Sequence, residues 1–360
     1  MSALADAARI VVRAPNWLGD LVMATPGLRA LRKHAPDAHV TVQLPAALAP
    51  LLEGSPHVDA IVAMDGRPRG VRALWREARR LRAAGPFDYG VCLPESHSSA
   101  LILRAAGVRC VGGFARGGRG WLLHDAIAAP AEWGRRRMVA REVFVLTLLE
   151  RLGCPGDGTA LELHATDAAE RAAQRLLDGL GHGRRIVGLA PGASFGPSKQ
   201  WPAASFAELA DRFAEAGDDV VLVGSPGERD LVSRIGERMR HEARSLAGET
   251  GLGVLPAVLR RLSLLVCNDA GARHVAVACG VPTTVFMGPT ALEKTGENLS
   301  HVAALTHDVP CRPCYQRHCP VGHECMTGIT PGRAFDAATR LRAACEQAAM
   351  AEATTRRECM

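Results

Sequence analysis

The sequence predicts an α/β protein built from parallel β-α-β units. Along the whole chain, short apolar runs alternate with segments whose apolar residues recur at the helical period. This alternation is typical of parallel sheets covered by helices. It occurs in two series, which predicts two Rossmann-like domains that face each other across a cleft, divided near residues 165–180.

The first series predicts five strands and two long helices. The apolar runs predict strands at residues 10–13, 40–44, 60–64, 89–93 and 110–112. The helical period is clearest at residues 19–34 and 69–84. These elements make up an expected first domain of residues 1–170.

The second series begins with a linking helix at residues 168–180. Strands are expected at residues 186–189, 220–223, 264–267 and 283–286, with an amphipathic helix at about 203–216 and a terminal helix at about 333–349. We therefore expect a second domain of residues 171–330, followed by a helix and tail at 331–360.

The composition is that of a globular protein without a membrane span. Of the 360 residues, 48% are hydrophobic and 22% are charged. No apolar run reaches the roughly 18 residues that a membrane helix needs. The first strand follows the N-terminus without the basic and apolar regions of a signal peptide, so we expect a cytoplasmic protein.

The positive charge belongs to the first half of the chain. Residues 1–150 contain 20 Lys and Arg against 13 Asp and Glu, a net charge of +7, whereas residues 151–360 have a net charge of −1. Such an excess indicates an anionic partner, or merely solvated helix faces. Aromatic residues are only 4% of the chain, so we expect no nucleic-acid partner. The arginines cluster at 67–82, 104–119 and Arg135-Arg136-Arg137.

The loop at residues 190–202 has the residues of an anion receptor. It joins the strand at 186–189 to the helix at 203–216 and contains three types of feature: glycines, one lysine (Lys199) and Pro202 at the helix start. Free amides at a helix start, together with an ammonium group, bind anions. The alternative is an ordinary βα loop with a surface lysine.

Two further loops repeat the strand–loop–helix pattern. Asp269, Ala270, Gly271 and His274 follow the strand at 264–267, where unsatisfied helix-start amides could hold a diphosphate. Glu228 follows the strand at 220–223 and could accept from ribose hydroxyls. The alternatives are that Asp269 and Glu228 cap helices and that His274 is a buried core histidine.

A carboxylate also follows the first strand. Asp20 lies at the start of the first helix, after Asn16 and Trp17. It could act as a general base towards an attacking hydroxyl, or it could simply favour the helix N-terminus.

Taken together, these motifs resemble glycosyltransferase family 9. The resemblance covers about residues 9–345 and rests on the order and spacing of Asn16-Trp17-Leu18-Gly19-Asp20, the Pro191–Pro202 loop, Asn268-Asp269-Ala270-Gly271 with His274, and Cys311-Arg312-Pro313-Cys314. It implies a GT-B fold and an inverting, metal-independent transfer of L-glycero-D-manno-heptose. The implied donor is ADP-heptose, the implied acceptor is the lipopolysaccharide inner core (Kdo-lipid A), and no cofactor is required.

The resemblance also implies roles for single residues. Asp20 matches the catalytic base and Lys199 the diphosphate-binding lysine. The donor-site residues that match are Ser194, Asp269, Ala270, Gly271, His274 and, less closely, Glu228. Ala270 departs from the family pattern, which has Thr or Ser there, so phosphate contact at this position depends on backbone amides and Arg273.

Three readings of the function remain open from the residues. A sugar transferase acting on a lipid acceptor would associate peripherally with the cytoplasmic face of the inner membrane. A nucleotide-sugar epimerase or hydrolase on the same framework would need additional acid–base groups. A non-catalytic nucleotide-sugar-binding protein would not need both Asp20 and Lys199.

The late cysteines form a separate cluster. Cys311, Cys314, Cys319 and Cys325 lie close together, with His318 and His323 among them. This spacing predicts either a structural zinc site or free thiols, although the second pair lacks the tight spacing of a zinc ribbon. No step of the implied reaction needs a thiolate.

Overall fold

The structure, a computed structural model, describes residues 4–134 and 137–358. The chain divides after Thr166 into two compact units, and the first unit also includes Glu293–Glu297. Each unit contains one six-stranded sheet whose paired strands are all parallel. The predicted α/β class with two Rossmann-like domains is confirmed. Arg135 and Arg136 of the predicted basic half lie outside the described residues.

In the first unit, the sheet has the spatial order 3-2-1-4-5-6. Its strands are β1 (Arg9–Arg13), β2 (His39–Pro45), β3 (Ala60–Met64), β4 (Tyr89–Cys92), β5 (Cys110–Phe114) and β6 (Asp125–Ile127). Its α-helices are α1 (Leu18–Val22), α2 (Thr25–His34), α3 (Val71–Ala84), α4 (His97–Ala105) and α5 (Arg141–Arg151). The central strand β1 is apolar on both faces because helices cover both sides of the sheet.

The single helix expected at residues 19–34 is instead two helices. Pro26 lies in the first turn of α2 and has no N–H with which to continue the ladder from α1. The Thr25 hydroxyl donates to the carbonyl of Val22 at 2.8 Å and closes the break. The helical period of apolar residues continues across this break because each of the two helices buries an apolar face.

In the second unit, the sheet has the spatial order 12-11-10-7-8-9. Its strands are β7 (Ile186–Ala190), β8 (Asp219–Leu222), β9 (Arg244–Ser245), β10 (Leu264–Asn268), β11 (Thr283–Phe286) and β12 (Val302–Leu305). Its α-helices are α6 (Asp167–Leu176), α7 (Ala203–Glu215), α8 (Arg229–Gly236), α9 (Leu255–Leu259), α10 (Gly271–Ala278), α11 (Glu324–Thr327) and α12 (Pro331–Glu358). The edge strands β6, β9 and β12 were not predicted, because two to four residues carry too little periodicity.

The terminal helix is longer than expected. It was predicted at about residues 333–349, and α12 runs from Pro331 to Glu358. None of the helices in the described part of the chain combines the length and the apolar character that crossing a membrane requires.

A buried tryptophan anchors the loop at residues 190–202, called the lysine loop below after Lys199, to the core of the second unit. The Trp201 ring is 2% exposed and packs against Phe206 and Phe286, with ring centroids 5.0 and 4.3 Å away. Its Nε1–H donates to the carbonyl of Ile329 at 2.9 Å, so the buried polar atom is satisfied. The C-terminal end of the loop is therefore held against the sheet.

Candidate active site

Four loops leave the same edge of the second sheet. Strands β11, β10, β7 and β8 are neighbours in that order, and all are parallel. The loops that follow them carry Thr290, Asp269, Lys199 and Glu228, respectively. Ligands of open α/β sheets bind at this carboxyl edge, so the topology brings the predicted donor-site loops together.

Lys199 and Asp269 form an ion pair at this edge. The ammonium of Lys199 donates to the Asp269 carboxylate at 2.6 Å and to its main-chain carbonyl at 2.9 Å. The two side chains are only 12% and 8% exposed. Because an ammonium group has three N–H donors, one donor remains for a ligand.

The Asp269 carboxylate has further partners. The Thr290 hydroxyl donates at 2.7 Å to the same oxygen that accepts from Lys199, and the other oxygen lies 3.3 Å from the guanidinium of the buried Arg273. Burial by itself would raise the pKa of Asp269, but the charges of Lys199 and Arg273 and the hydrogen bonds outweigh burial and hold it at about 2. Asp269 is thus a permanent anion that positions two cations.

Asn268 joins the two principal loops. Its side-chain amide donates to the carbonyl of Pro191 at 2.7 Å, and its side-chain oxygen accepts from the backbone N–H of Trp201 at 3.0 Å. Both ends of the lysine loop are thereby tied to the end of β10. The sequence placed Asn268 in a motif without a role, although a polar residue that ends an apolar strand was a signal for one.

The start of α10 leaves backbone amides available. Ala270 is the N-cap residue, and no side chain caps the helix. Asp269 therefore does not cap α10, contrary to the alternative considered from the sequence. His274 is buried, and burial, followed by the charge of Arg273, lowers its pKa to about 3. Its imidazole is therefore uncharged at neutral pH.

Glu228 does take part in a helix cap. One carboxylate oxygen accepts from the backbone N–H and the hydroxyl of Ser225, at 2.7 and 2.8 Å. The other lies against Gly192, where a Cβ would overlap the carboxylate. Because Gly192 has no side chain, the Glu228 carboxylate can lie against its backbone, and the loops after β7 and β8 are in contact there. Ser194 is exposed on the first of these loops.

The segment at residues 311–325, called the cysteine-rich segment below, contacts the lysine loop. Arg317 donates to the carbonyl of Phe195 at 2.8 Å, and the His323 imidazole lies 2.8 Å from the carbonyl of Ser198. Burial, followed by the neighbouring thiols of Cys319, Cys314 and Cys311, raises the pKa of Cys325. Through Arg317 and His323, the cysteine-rich segment therefore holds two carbonyls of the lysine loop.

The four thiols are not arranged as a closed metal site. Among the described residues, the one set of three or more potential ligand atoms within 4.8 Å of one another consists of His57, Glu162 and His164, without any cysteine. The described cysteines are all free thiols. Zinc binding by Cys311, Cys314, Cys319 and Cys325 stays a prediction that this thiol arrangement does not support.

Asp20 lies in the first unit, in the first turn of α1. Trp17 is the N-cap residue of this helix and makes no side-chain cap. The Asp20 carboxylate is 31% exposed, and the guanidinium of Arg141 lies 3.6 Å from it. The buried Arg13 donates to Asn16 at 2.5 Å and to the carbonyl of Ala14, which shapes the loop before α1. The sequence did not indicate Arg13 or Arg141.

The fold and these loops define the class of the protein. Two Rossmann-like domains, one with a lysine and uncapped helix-start amides at its sheet edge, are the architecture of the GT-B fold with an anion-binding edge. The chain belongs to glycosyltransferase family 9 (heptosyltransferase), whose family model matches residues 73–324.

Relatives and solved structures agree with this assignment. The chain is 30% identical to lipopolysaccharide heptosyltransferase 2 of Escherichia coli K12 over 348 residues, which cover 91% of this chain and 97% of that protein. The solved structure of E. coli ADP-heptose LPS heptosyltransferase II is similar with a TM-score of 0.78 and 26% identity, covering 94% of this chain and 99% of that one. A family 9 glycosyltransferase structure from Veillonella parvula DSM 2008 is similar with a TM-score of 0.82 and 26% identity, covering 93% and 97%.

The ion pair at Asp269 predicts a pH-dependent stability. The pKa of Asp269 is about 2 in the folded protein against an ordinary 3.8, so its stabilisation is present above pH 3.8 and is lost as the pH falls towards 2. We expect Asp269→Asn to lower the free energy of unfolding by about 2 kcal/mol or more at neutral pH, and this deficit to shrink below about pH 4. Urea denaturation at a series of pH values measures it.

The matched control is Asp178→Asn, which changes an exposed carboxylate of the same unit. Its unfolding free energy should stay close to that of the unchanged protein. A deficit for Asp269→Asn that is constant from pH 7 to pH 3 would contradict the ionic role of Asp269.

Proposed function

We propose that this family 9 glycosyltransferase transfers L-glycero-D-manno-heptose from ADP-heptose to the inner core of lipopolysaccharide, as a heptosyltransferase of type II. The similarity to lipopolysaccharide heptosyltransferase 2 over 91% of the chain supports this choice of reaction. The observation that carries the proposal is the Lys199–Asp269 pair beside the uncapped start of α10.

The donor diphosphate is proposed to bind at this pair. Lys199 has one N–H donor left, and the first amides of α10, from Gly271 onward, have no side-chain cap. A fixed ammonium and helix-start amides stabilise the negative charge that grows on the departing ADP. Ala270 supplies no hydroxyl here, so its contribution is its backbone.

Asp20 is proposed to act as the general base. The acceptor hydroxyl forms a bond from its oxygen to the anomeric carbon, and the bond from that carbon to the ADP oxygen breaks with its electron pair leaving on ADP. The proton of the hydroxyl passes to the Asp20 carboxylate. The Asp20 carboxylate is 31% exposed beside the Arg141 guanidinium, so a hydroxyl can reach it from solvent.

The acceptor is a phosphorylated lipid, and α3 offers a surface that suits it. Arg72, Trp75, Arg76 and Arg79 are exposed and follow the i, i+3, i+4, i+7 pattern of one helix face. The tryptophan is 55% exposed. Arginines around an exposed tryptophan bind anionic membrane interfaces. We therefore assign this face to peripheral contact with the cytoplasmic side of the inner membrane.

Replacing Asp20 tests the reaction itself. We expect the unchanged protein, incubated with ADP-heptose and a heptose-deficient core acceptor, to give an acceptor heavier by one heptose in mass spectrometry. Asp20→Asn keeps the shape of the side chain but cannot take a proton, so we expect its rate to fall by about 10²–10⁴-fold with ADP affinity almost unchanged.

The control for this experiment is Asp37→Asn, an exposed carboxylate of the same unit. It should transfer heptose at the normal rate. Activity of Asp20→Asn within threefold of the unchanged protein would remove Asp20 from the mechanism. Release of free heptose or an isomerised donor without acceptor modification would favour a hydrolase or an epimerase, and binding without turnover would favour a binding protein.

Replacing Lys199 tests the donor site. Its charge meets the diphosphate in the ground state and meets more charge in the transition state. We therefore expect Lys199→Ala to weaken ADP binding in calorimetric titration and to lower kcat as well. The exposed Lys33→Ala serves as control. ADP affinity that is equal in Lys199→Ala and the unchanged protein would place Lys199 outside the donor site.

The salt dependence of the two KM values distinguishes the acceptor surface from the donor site. Exposed charges are screened over about 8–10 Å at physiological ionic strength, whereas a diphosphate enclosed by loop amides is less affected. We expect added salt to raise the KM for lipid acceptor more than the KM for ADP-heptose. The double change Arg72→Ser with Arg79→Ser should raise the acceptor KM in the same way.

The control is Arg234→Ser, an exposed arginine of the second unit, which should alter neither constant. Steady-state kinetics at several salt concentrations measure both KM values. Equal salt sensitivity for donor and acceptor would contradict the assignment of the lipid to the basic unit.

A further inference from the structure

Two histidines and a glutamate meet in the first unit, apart from every residue assigned above. The His57 Nε2 lies 2.8 Å from one oxygen of Glu162, and the His164 Nε2 lies 3.6 Å from the other. The three ligand atoms lie within 4.8 Å of one another. Neither the family resemblance nor the proposed reaction gives these side chains a role.

The local structure presents these side chains together. Residues 162–164 lie outside helices and strands, and Leu163 is buried, whereas the side chains of Glu162 and His164 on either side of it are partly exposed. The backbone N–H of Glu162 donates to the Thr25 hydroxyl at 3.2 Å, which ties the segment to α2.

The loop that carries His57 approaches this segment closely. A Cβ at Gly54 would lie 2.6 Å from the carbonyl oxygen of His164, so only glycine permits the contact. His57 itself is fixed by its backbone N–H, which donates to the Ser55 hydroxyl at 3.3 Å. The geometry of the three side chains is therefore set by backbone contacts on both sides.

The donor set is that of a borderline metal ion. Imidazole nitrogens with one carboxylate suit zinc, cobalt and iron more than magnesium or calcium. Neighbouring ligands of a tetrahedral zinc ion lie about 3.3 Å apart, and the two contacts with Glu162 are 2.8 and 3.6 Å. These contacts go to different oxygens of Glu162, so an ion held by one oxygen and the two nitrogens requires small side-chain rotations, which separate His57 from the carboxylate and bring His164 closer.

Arg29 competes for the same carboxylate. Its guanidinium lies 3.2 Å from the Glu162 oxygen that faces His57. It also binds the Asp157 carboxylate at 2.9 Å and the carbonyl of Ala160 at 2.8 Å. Because those partners hold Arg29 in place, Glu162 can turn its other oxygen to an ion without leaving the guanidinium unpaired.

We propose that His57, Glu162 and His164 bind one zinc-type divalent ion, with the fourth position left to water. The ion fastens the segment that ends at Thr166 to the loop at residues 52–58. The role is structural and does not depend on the proposed transferase reaction. A hydrogen-bonded cluster without metal is the competing explanation.

Cobalt is the probe that separates this site from the cysteines. Metal-free protein is titrated with Co²⁺ in a Cys311→Ser, Cys314→Ser background, and the visible absorption of the bound ion is recorded. We expect one equivalent to bind with nitrogen and oxygen bands and no thiolate charge-transfer band. His164→Ala, which removes a half-exposed side chain, should weaken binding by at least about 100-fold.

Two further measurements guard against misfolding. Glu162→Gln keeps the shape of the side chain but not its charge and should also bind weakly, whereas His182→Ala, an exposed histidine of the second unit, should bind normally. Zn²⁺ should raise the Tm of the unchanged protein and not that of His164→Ala, with circular dichroism confirming that the variants are folded.

The proposal is overturned by any of three results. These are equal Co²⁺ affinity in His164→Ala and its parent, loss of all binding in the cysteine background alone, or binding that does not saturate at one equivalent. None of these results bears on heptose transfer, so failure here is distinguishable from failure of the proposed function.

Discussion

The candidate donor site depends on the buried negative charge of Asp269. This carboxylate accepts from Lys199 and Thr290 and neutralises Arg273, so it links the loops after β7, β10 and β11. Burial of an anion is costly unless cations and donors compensate it. Because three of them do so here, the same interaction that stabilises the loops also holds an ammonium at the carboxyl edge of the sheet.

Around Asp269, glycines without side chains allow neighbouring groups to lie close to the backbone of the lysine loop. Gly192 lets the Glu228 carboxylate rest on the lysine loop, and Gly196 lets the carbonyl of Arg317 approach from the cysteine-rich segment. Asn268 ties both ends of the same loop. The loop is thus held at several points, so its backbone amides and Lys199 can be positioned before a ligand arrives, which reduces the ordering cost of binding.

The two alternatives considered for the acidic residues have different outcomes. Glu228 does cap a helix, since Ser225 and Glu228 bond reciprocally, yet its second oxygen still faces Gly192. Asp269 and Asp20 cap nothing. The sequence could not separate these cases, because helix starts and anion- or hydroxyl-binding sites both offer hydrogen-bond donors to a carboxylate. Asp and Glu are therefore favoured at either kind of position.

The sequence by itself determined the α/β class, the two series of strands and the placement of polar residues at strand ends, because periodicity and turn residues are local signals. It missed the edge strands β6, β9 and β12 and the break at Pro26, where the local signal is short or continuous. Only the tertiary structure decided that Lys199 pairs with Asp269, 70 residues away, and that His57 meets Glu162, 105 residues away. Such contacts follow from strand order and from loops packed against each other, and no local pattern along the chain encodes them.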